Sequence, residues 1–451
     1  MKQRRVNQRR VKRLPRDPGP AAWNALLPPP APPSVLARER TADWLVIGAG
    51  LAGLAAARRL TQLRGGDAIA VLEARRVGEG PAGRNSGFMI DLPHDLSSDD
   101  YGGSLEDDGR QTEMNRAAIA FAGEAAAEYG MTREAFDPAG KVNAAASDKG
   151  LAHNSDYGRH LSAMEEPFEL LDKQQMKELT GSDYYLGGLY TPGAAMIQPA
   201  MFVRGMTAGL SQSVSLYEES PVIALNREAN AWIAKTPRGA ITAPRVILAV
   251  NGHAESFGFF ERRLMHVFTY ASMTEALPPE AVARLGGQAR WGLLPADPMG
   301  TTVRRISGTG GARIVIRNRF TYDPAMEISE ARTQAVGRRH DASFAARFPM
   351  LDGVKLEYRW GGRLCLSRNG VPAFGEIEEG LFSACCQNGL GTSKGTLAGI
   401  CAADLAAQGN FPHVATLAAM AEPSRLPPEP FAWLGANAIL RWKEMKAGRE
   451  L

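Results

Sequence analysis

The sequence predicts an α/β chain, α+β overall, with a parallel helix-covered sheet near its start and a large antiparallel sheet later. Three observations carry this. The apolar run Trp44-Leu45-Val46-Ile47 leads into a glycine turn and an Ala/Leu-rich stretch, and a second apolar run follows at 68–72. The stretch 263–322 alternates and is rich in β-formers. The chain has 451 residues, 44% hydrophobic and 22% charged, which is ample for a large core in two or three domains.

The elements follow in order. Residues 17–42 read as a linker, extended at Pro28-Pro29-Pro30 and Pro32-Pro33 and pinned to the body by Trp23 and Leu26-Leu27. Trp44–Ile47 suits a buried parallel strand, 51–63 a helix and 68–72 a second strand. Residues 110–130 read as an Ala-rich helix, 141–190 as mixed and polar, and 199–213 as a helix opened by Pro199. Segments 222–225 and 231–236 form a strand pair turning at 227–230, and 245–250 is another buried strand. After the β-rich 263–322 come a helix at 326–347, a strand at 381–385 and a helix at 393–407. A Pro-rich joint at 423–430 precedes a final helix near 431–446.

The net charge of +4 is concentrated at one end. Residues 1–16 carry eight Lys and Arg and no acid; without them the body has 44 basic against 48 acidic residues. A nucleic-acid-binding body is therefore not expected, and the head reads as a disordered, dispensable extension. No apolar segment is long enough to span a bilayer, and no apolar h-region follows the charges as in a signal peptide. Four cysteines suggest reduced thiols and a cytoplasmic setting, and neither their spacing nor the seven histidines suggests a metal site.

The strongest chemical signal is Gly48-Ala49-Gly50-Leu51-Ala52-Gly53, set between a strand and a helix, with Glu73 twenty residues beyond Gly53. This is the context a dinucleotide fingerprint requires. Gly48 permits the tight turn, Gly50 lets backbone approach a pyrophosphate, and Gly53 lets helix pack on strand. The helix start offers unpaired N–H groups and a positive dipole end, and Glu73 suits ribose hydroxyls. A second small-residue loop, 78–87, follows directly. A third glycine turn, Asn388-Gly389-Leu390-Gly391-Thr392, opens the 393–407 helix. Three separated glycine approaches suit a long cofactor lying extended across the domain.

These segments resemble the D-amino-acid oxidase-like flavoprotein superfamily, nearest the γ-glutamylputrescine oxidase and sarcosine–glycine oxidase type. The matching pieces also include Ala82-Gly83-Arg84-Asn85-Ser86-Gly87, Val246 to Gly252, Thr274 to Leu277 and Trp360-Gly361-Gly362-Arg363, in family order. The resemblance implies non-covalent FAD, a Rossmann-like FAD-binding domain of discontinuous segments, and a substrate domain on a large antiparallel sheet. The corresponding division is 1–22 extension; 23–95, 196–255 and 359–410 FAD-binding; 96–195 and 256–358 substrate domain; 411–451 C-terminal arm. The implied cofactor contacts are Gly48, Gly50, Leu51, Ala52, Gly53, Glu73, Ala74, Arg75, Arg84, Asn85, Ser86, Val222, Ala249, Asn251, Gly252, Gly362, Gly389, Gly391 and Thr392. Relatives often carry a histidine where this chain has Leu390, and Cys365 lies offset from the position at which some attach flavin.

The implied chemistry is oxidation of a C–N bond to an imine by hydride transfer to flavin N5, which needs positioning and water exclusion rather than a nucleophile. Tyr270 and Trp360 are candidates for an aromatic wall over the reacting carbon. Lys394 is a candidate cation near the flavin N1 and C2 carbonyl, at a helix start that Thr392 or Ser393 would cap. His266 and His94 are the histidines nearest the matching segments. Arg313, Arg317 and Arg319 share one strand face by alternation. That is either a solvated face or, with Arg304, a source of a carboxylate anchor. The expected partners are a small amine or amino acid and either oxygen or an electron carrier. A carrier-linked dehydrogenase, a non-catalytic flavoprotein subunit and an NAD-linked dehydrogenase are the competing readings; oligomeric state stays open.

Overall fold

A computed structural model describes residues 9–17, 19–93 and 103–451. Its first organising element is a six-stranded sheet in the order Val214–Tyr217, Ile69–Leu72, Trp44–Ile47, Arg245–Leu248, Leu381–Cys385, Ala373–Glu378. The first five strands run parallel and the last is antiparallel. Trp44–Ile47 and Ile69–Leu72 are buried on both faces, which is why they read as unbroken apolar runs. One face is covered by helices Leu51–Leu63 and Ser393–Ala407, which cross so closely that a Cβ on Gly399 would lie 2.0 Å from the Ala52 carbonyl oxygen. The other face packs on a four-stranded sheet formed by Glu39–Thr41, Ala240–Ala243, Ala231–Lys235 and Ala224–Glu228.

The second organising element is an eight-stranded sheet in the order Leu356–Leu366, Met265–Thr274, Arg313–Tyr322, Thr302–Ile306, Trp291–Pro295, Lys141–Ala145, Gly187–Thr191, Glu169–Leu171. All its pairings are antiparallel except Trp291–Pro295 with Lys141–Ala145. Leu356–Leu366 pairs with Met265–Thr274 along its whole length. The expected boundary at 359 therefore cuts a strand of this sheet.

Most elements lie where the sequence pattern places them, and the differences have local causes. The helix expected at 110–130 is Leu105–Glu128. The Ser104 side chain accepts from Asp107 N and three acids fill the first turn, so the start moves towards the cap. The helix expected at 326–347 starts at Glu330, capped by Ser329. Helix Pro279–Leu285 interrupts the stretch expected to be all sheet. The polar-looking 141–190 holds the buried strand Lys141–Ala145, whose Lys and Asn side chains bond each other inside the fold (Lys141 Nζ to Asn143 Oδ1, 2.7 Å).

The reading of 1–22 as a disordered extension fails for its described part; residues 1–8, with Lys2, Arg4 and Arg5, lie outside the described residues. Val11 N donates to Ile223 O at 2.9 Å and Lys12 N to Ser256 O at 2.8 Å. The Arg9 guanidinium rests 4.5 Å from the Phe259 ring centroid and bonds Glu378 at 2.7 Å. A basic, core-poor segment is ordered here because the body supplies the backbone partners and carboxylates it lacks. Among the described residues no helix is long and apolar enough to cross a membrane.

Candidate functional site

One long cavity runs from the glycine turn after Trp44–Ile47 to the inner face of the eight-stranded sheet. At its first end Gly48 takes φ +103, and a Cβ there would lie 2.6 Å from Ala249 O. Gly53 is tighter still, since its Cβ would overlap Gly48 O at 1.7 Å. Gly50 differs: a Cβ would meet only Ala82 Cβ, at 3.7 Å, and so would point into the cavity. The Leu51–Leu63 helix has no side-chain cap and no acid in its first turn. Its unpaired N–H groups and positive dipole end open onto the cavity at Leu51 and Ala52. Glu73 is buried at the same end. Its carboxylate accepts from Ala49 N (2.9 Å) and Arg75 N (3.0 Å) and so holds the turn while lining the cavity. Burial raises its pKa, opposed by those N–H donors.

The second glycine loop is fixed by two indoles. Trp23 Nε1 donates to Asn85 O at 2.9 Å and Trp360 Nε1 to Arg84 O at 3.0 Å, with the rings edge to face at 6.3 Å. Arg304 completes the clamp, donating to Ser86 O and Ile197 O at 2.8 Å and to Gly87 O at 3.2 Å between the Trp23 and Phe88 rings. Burial pulls the Arg304 pKa down to about 9, which still leaves it charged at neutral pH. Arg84 is buried and donates to Glu79 O, Gly361 O and Gly19 O, tying the loop to the sheet and to the N-terminal arm.

The third turn corrects the capping expectation. Thr392 Oγ1 donates to Phe88 O, and Ser393 Oγ to Ile90 O at 2.9 Å, so neither caps the Ser393–Ala407 helix. That helix start remains without a side-chain cap, and Gly391, with nothing within 4 Å of a built Cβ, lines the cavity beside Gly389 and Thr392.

Of the residues assigned to cofactor contact, all but two line the cavity. Gly53 packs helix on strand. Gly252 lies instead against His266 Nδ1, 2.8 Å from a built Cβ. Among the catalytic candidates only Tyr270 lines the cavity; its hydroxyl shares a 2.7 Å hydrogen bond with Thr321 Oγ1 and burial raises its pKa. Trp360 is buried behind the second loop and positions it. Lys394 is not among the cavity's lining residues, because the helix start presents Gly391 and Thr392 there instead. His266 bonds Glu255 at 2.8 Å away from the cavity, and His94 lies outside the described residues.

Neither the solvated face nor a shared anchor describes the arginines. Arg313 bonds Thr274 O and Glu357, each at 2.6 Å, and Arg319 bonds Glu444 at 3.1 Å. Arg319 sits at φ +62 where the pairing shifts register, so it leaves the regular alternation. Arg317 alone of the four lines the cavity, beside Thr269, Tyr270, Leu294 and Thr302. Sequence reasoning missed several further lining groups. His253 Nε2, Gln387 Oε1 and both Asp17 carboxylate oxygens are buried without a hydrogen-bond partner. Burial and nearby Arg363 hold the His253 pKa well below its ordinary value, so it is neutral. His253 follows the Asn251-Gly252 signal directly and Gln387 directly precedes Asn388 of the third glycine turn; nothing in the sequence marked Asp17.

The model of a family described as FAD dependent oxidoreductase (DAO) matches residues 43–405. The chain belongs to this family. Similar proteins include a probable oxidoreductase OrdL of Haemophilus influenzae, 26% identical over 374 residues, covering 79% of this chain and 81% of that one. Gamma-glutamylputrescine oxidoreductase of Escherichia coli is 27% identical over 382 residues, covering 83% and 86%. Among solved structures, glycine oxidase from Geobacillus kaustophilus shares the fold, with a TM-score of 0.68 at 19% identity over 86% of this chain and 100% of that one.

This FAD-dependent oxidoreductase has a cavity that fits its cofactor. Two uncapped helix starts, glycines whose side chains would enter the space, and buried polar atoms without partners are what an extended, anionic, hydrogen-bonding molecule requires.

Proposed function

We propose that the chain oxidises a primary or secondary amine or an amino acid at its C–N bond, giving an imine, with oxygen as the final acceptor. One observation carries the reading: beyond the glycine turns the cavity reaches the antiparallel sheet, where Tyr270 and Leu294 line it together with two arginines, Arg317 and Arg363. When bound, FAD supplies a hydride acceptor at N5. The chain's residues do the rest. Gly48, Gly50, Leu51 and Ala52 bind the pyrophosphate, and Glu73 the ribose. The loop 84–86 and the turn 389–392 hold the flavin. Tyr270 and Leu294 exclude water, which keeps a bound amine unprotonated. Arg317, which lines the cavity with its guanidinium 4.9 Å from the Phe320 ring centroid, would take a substrate carboxylate. The neutral His253 and Gln387 Oε1 offer hydrogen-bonding positions without adding charge.

The attachment is non-covalent in this reading. Cys365 lines the cavity, but burial raises its thiol pKa well above the ordinary value, so it is no thiolate nucleophile. Four buried unpaired thiols also support a reducing, cytoplasmic setting.

The test is anaerobic flavin bleaching against amines and amino acids, including γ-glutamylputrescine and glycine, followed by air. Bleaching with rapid return of colour is expected. Bleaching that only an added carrier reverses would make the chain a dehydrogenase. No bleaching, with a partner protein co-purifying, would make it a non-catalytic subunit.

A further inference from the structure

The C-terminal helix Phe431–Ala447 turns the wrong residues outward for a helix that serves only its own fold. Its inward face is small: Ala432, Ala436, Leu440 and Ala447 pack on the Met265–Thr274, Arg313–Tyr322 and Leu356–Leu366 strands. Its outward face is large and apolar, with Phe431 67%, Leu434 53%, Trp442 50% and Met445 74% exposed, and Trp433 41% and Ile439 58% exposed on the flanks of the inward row. Phe431, Leu434, Trp442 and Met445 follow the three-to-four spacing of one helical face. The helix is anchored by polar bonds that do not involve that face. Asn437 exchanges two 3.1 Å hydrogen bonds with the Tyr322 backbone, and Glu444 accepts from Phe320 N at 2.9 Å.

Charge decides what covers the face. The helix's one acid, Glu444, is buried against Arg319 and Arg441. Its other charged residues, Arg441, Lys443 and Lys446, are all basic. Lys446 Nζ lies 3.7 Å from the centroid of the exposed Trp442 ring. Two copies meeting through this face would bring basic groups together with no exposed acid on the helix to answer them. An apolar strip bordered by lysine and arginine, with tryptophan within it, matches the chemistry of an interfacial helix on an anionic bilayer.

We propose that the outward face of Phe431–Ala447 docks on an anionic lipid surface, seating the protein peripherally with the substrate sheet next to the membrane. The proposal does not depend on the oxidation chemistry.

The test uses the FAD-loaded full chain and vesicles of phosphatidylcholine, with and without phosphatidylglycerol. Co-sedimentation with the anionic vesicles alone is expected, with a blue shift of tryptophan emission and loss at high salt. Lys446→Glu should weaken binding about fivefold or more. Leu434→Ser with Met445→Ser should abolish it, with flavin content unchanged as the check on folding. Equal binding to neutral vesicles overturns the assignment. So does no binding by a monomer. So does a dimer that the Leu434→Ser, Met445→Ser variant turns into monomer, which would make the face a contact between copies.

Discussion

Gly50 and Gly53 stand in one turn, yet a side chain has opposite consequences at the two positions. At Gly53 it overlaps the Gly48 carbonyl, so Gly53→Val strikes the fold itself. At Gly50 it enters the cavity, so Gly50→Val should give a folded protein that holds no FAD. Absorbance near the flavin band and circular dichroism, measured together, separate the two outcomes; a yellow Gly50→Val would remove this turn from the cofactor site. Arg317 carries a second prediction. Arg317→Met should raise KM for a carboxylate-bearing substrate roughly 10- to 100-fold, the worth of a charged hydrogen-bonded pair, and leave flavin content and any plain amine's KM unchanged. An unchanged KM for amino acids would take the anchor away. His340 gives a third. It is buried, its Nδ1 paired with Ser272 Oγ at 2.8 Å, and desolvation lowers its pKa to about 3. Its folded pKa lies below the unfolded value near 6.5, so the unfolded chain binds the extra proton first. Stability is thus fully present above about pH 6.5 and falls towards pH 3, by about 1.4 kcal/mol per pH unit. Urea titrations at stepped pH should show His340→Gln flattening that slope; an unaltered slope would mean His340 titrates normally.

The elements at the glycine-turn end of the cavity were legible because their signal is local. Strand, glycine turn, helix, strand and acid fall within residues 44–73; Gly48 answers the neighbouring Ala249, Gly53 answers Gly48, and Gly50 opens onto the cavity. The end of the cavity on the antiparallel sheet was not legible in the same way. Its wall comes from Thr269 and Tyr270, from Leu294, from Thr302 and from Arg317, on four strands whose facing depends on a register shift at Thr269/Tyr270. Alternation cannot foresee that shift, so Arg319 reads as equivalent to Arg313 and Arg317. Lys394 was misplaced for a similar reason: Thr392 and Ser393 spend their hydroxyls on Phe88 and Ile90, and the turn presents its glycine rather than its lysine. The N-terminal arm was misread because composition does not reveal a docking groove. Val11, Leu14, Pro15 and Asp17 line the cavity. Deleting residues 1–17 should therefore weaken FAD retention by roughly tenfold or more, since burying one Val or Leu is worth ~1.5–3 kcal/mol. Gel filtration of the truncated protein, followed by the ratio of flavin to protein absorbance, tests this; full retention would return the arm to the role of a dispensable tail.

At the scale of the molecule, the cavity lies where two sheets meet. The parallel sheet contributes Gly48, Glu73 and Ala249, and the antiparallel sheet Tyr270, Arg317 and Gly362. Polar atoms that face this space, such as Gln387 Oε1 and His253 Nε2, are buried without partners in the protein alone. A ligand that satisfies them stabilises the folded state over the unfolded one, because the unfolded chain has no such cavity. Apoprotein prepared without FAD should then unfold at a lower temperature than holoprotein, and added FAD should restore the difference. At FAD a hundredfold above its Kd the gain is about 2.7 kcal/mol. Because the cavity draws on both sheets, the shift should appear in a single transition that moves as a whole, rather than in one of two separate steps. Gly50→Val should melt like the apoprotein and ignore added FAD, which ties the stabilisation to this cavity. A wild-type melting temperature indifferent to FAD would show that the cavity between the sheets is not where the cofactor binds, and the readings of Arg317, Tyr270 and the N-terminal arm would fall with it.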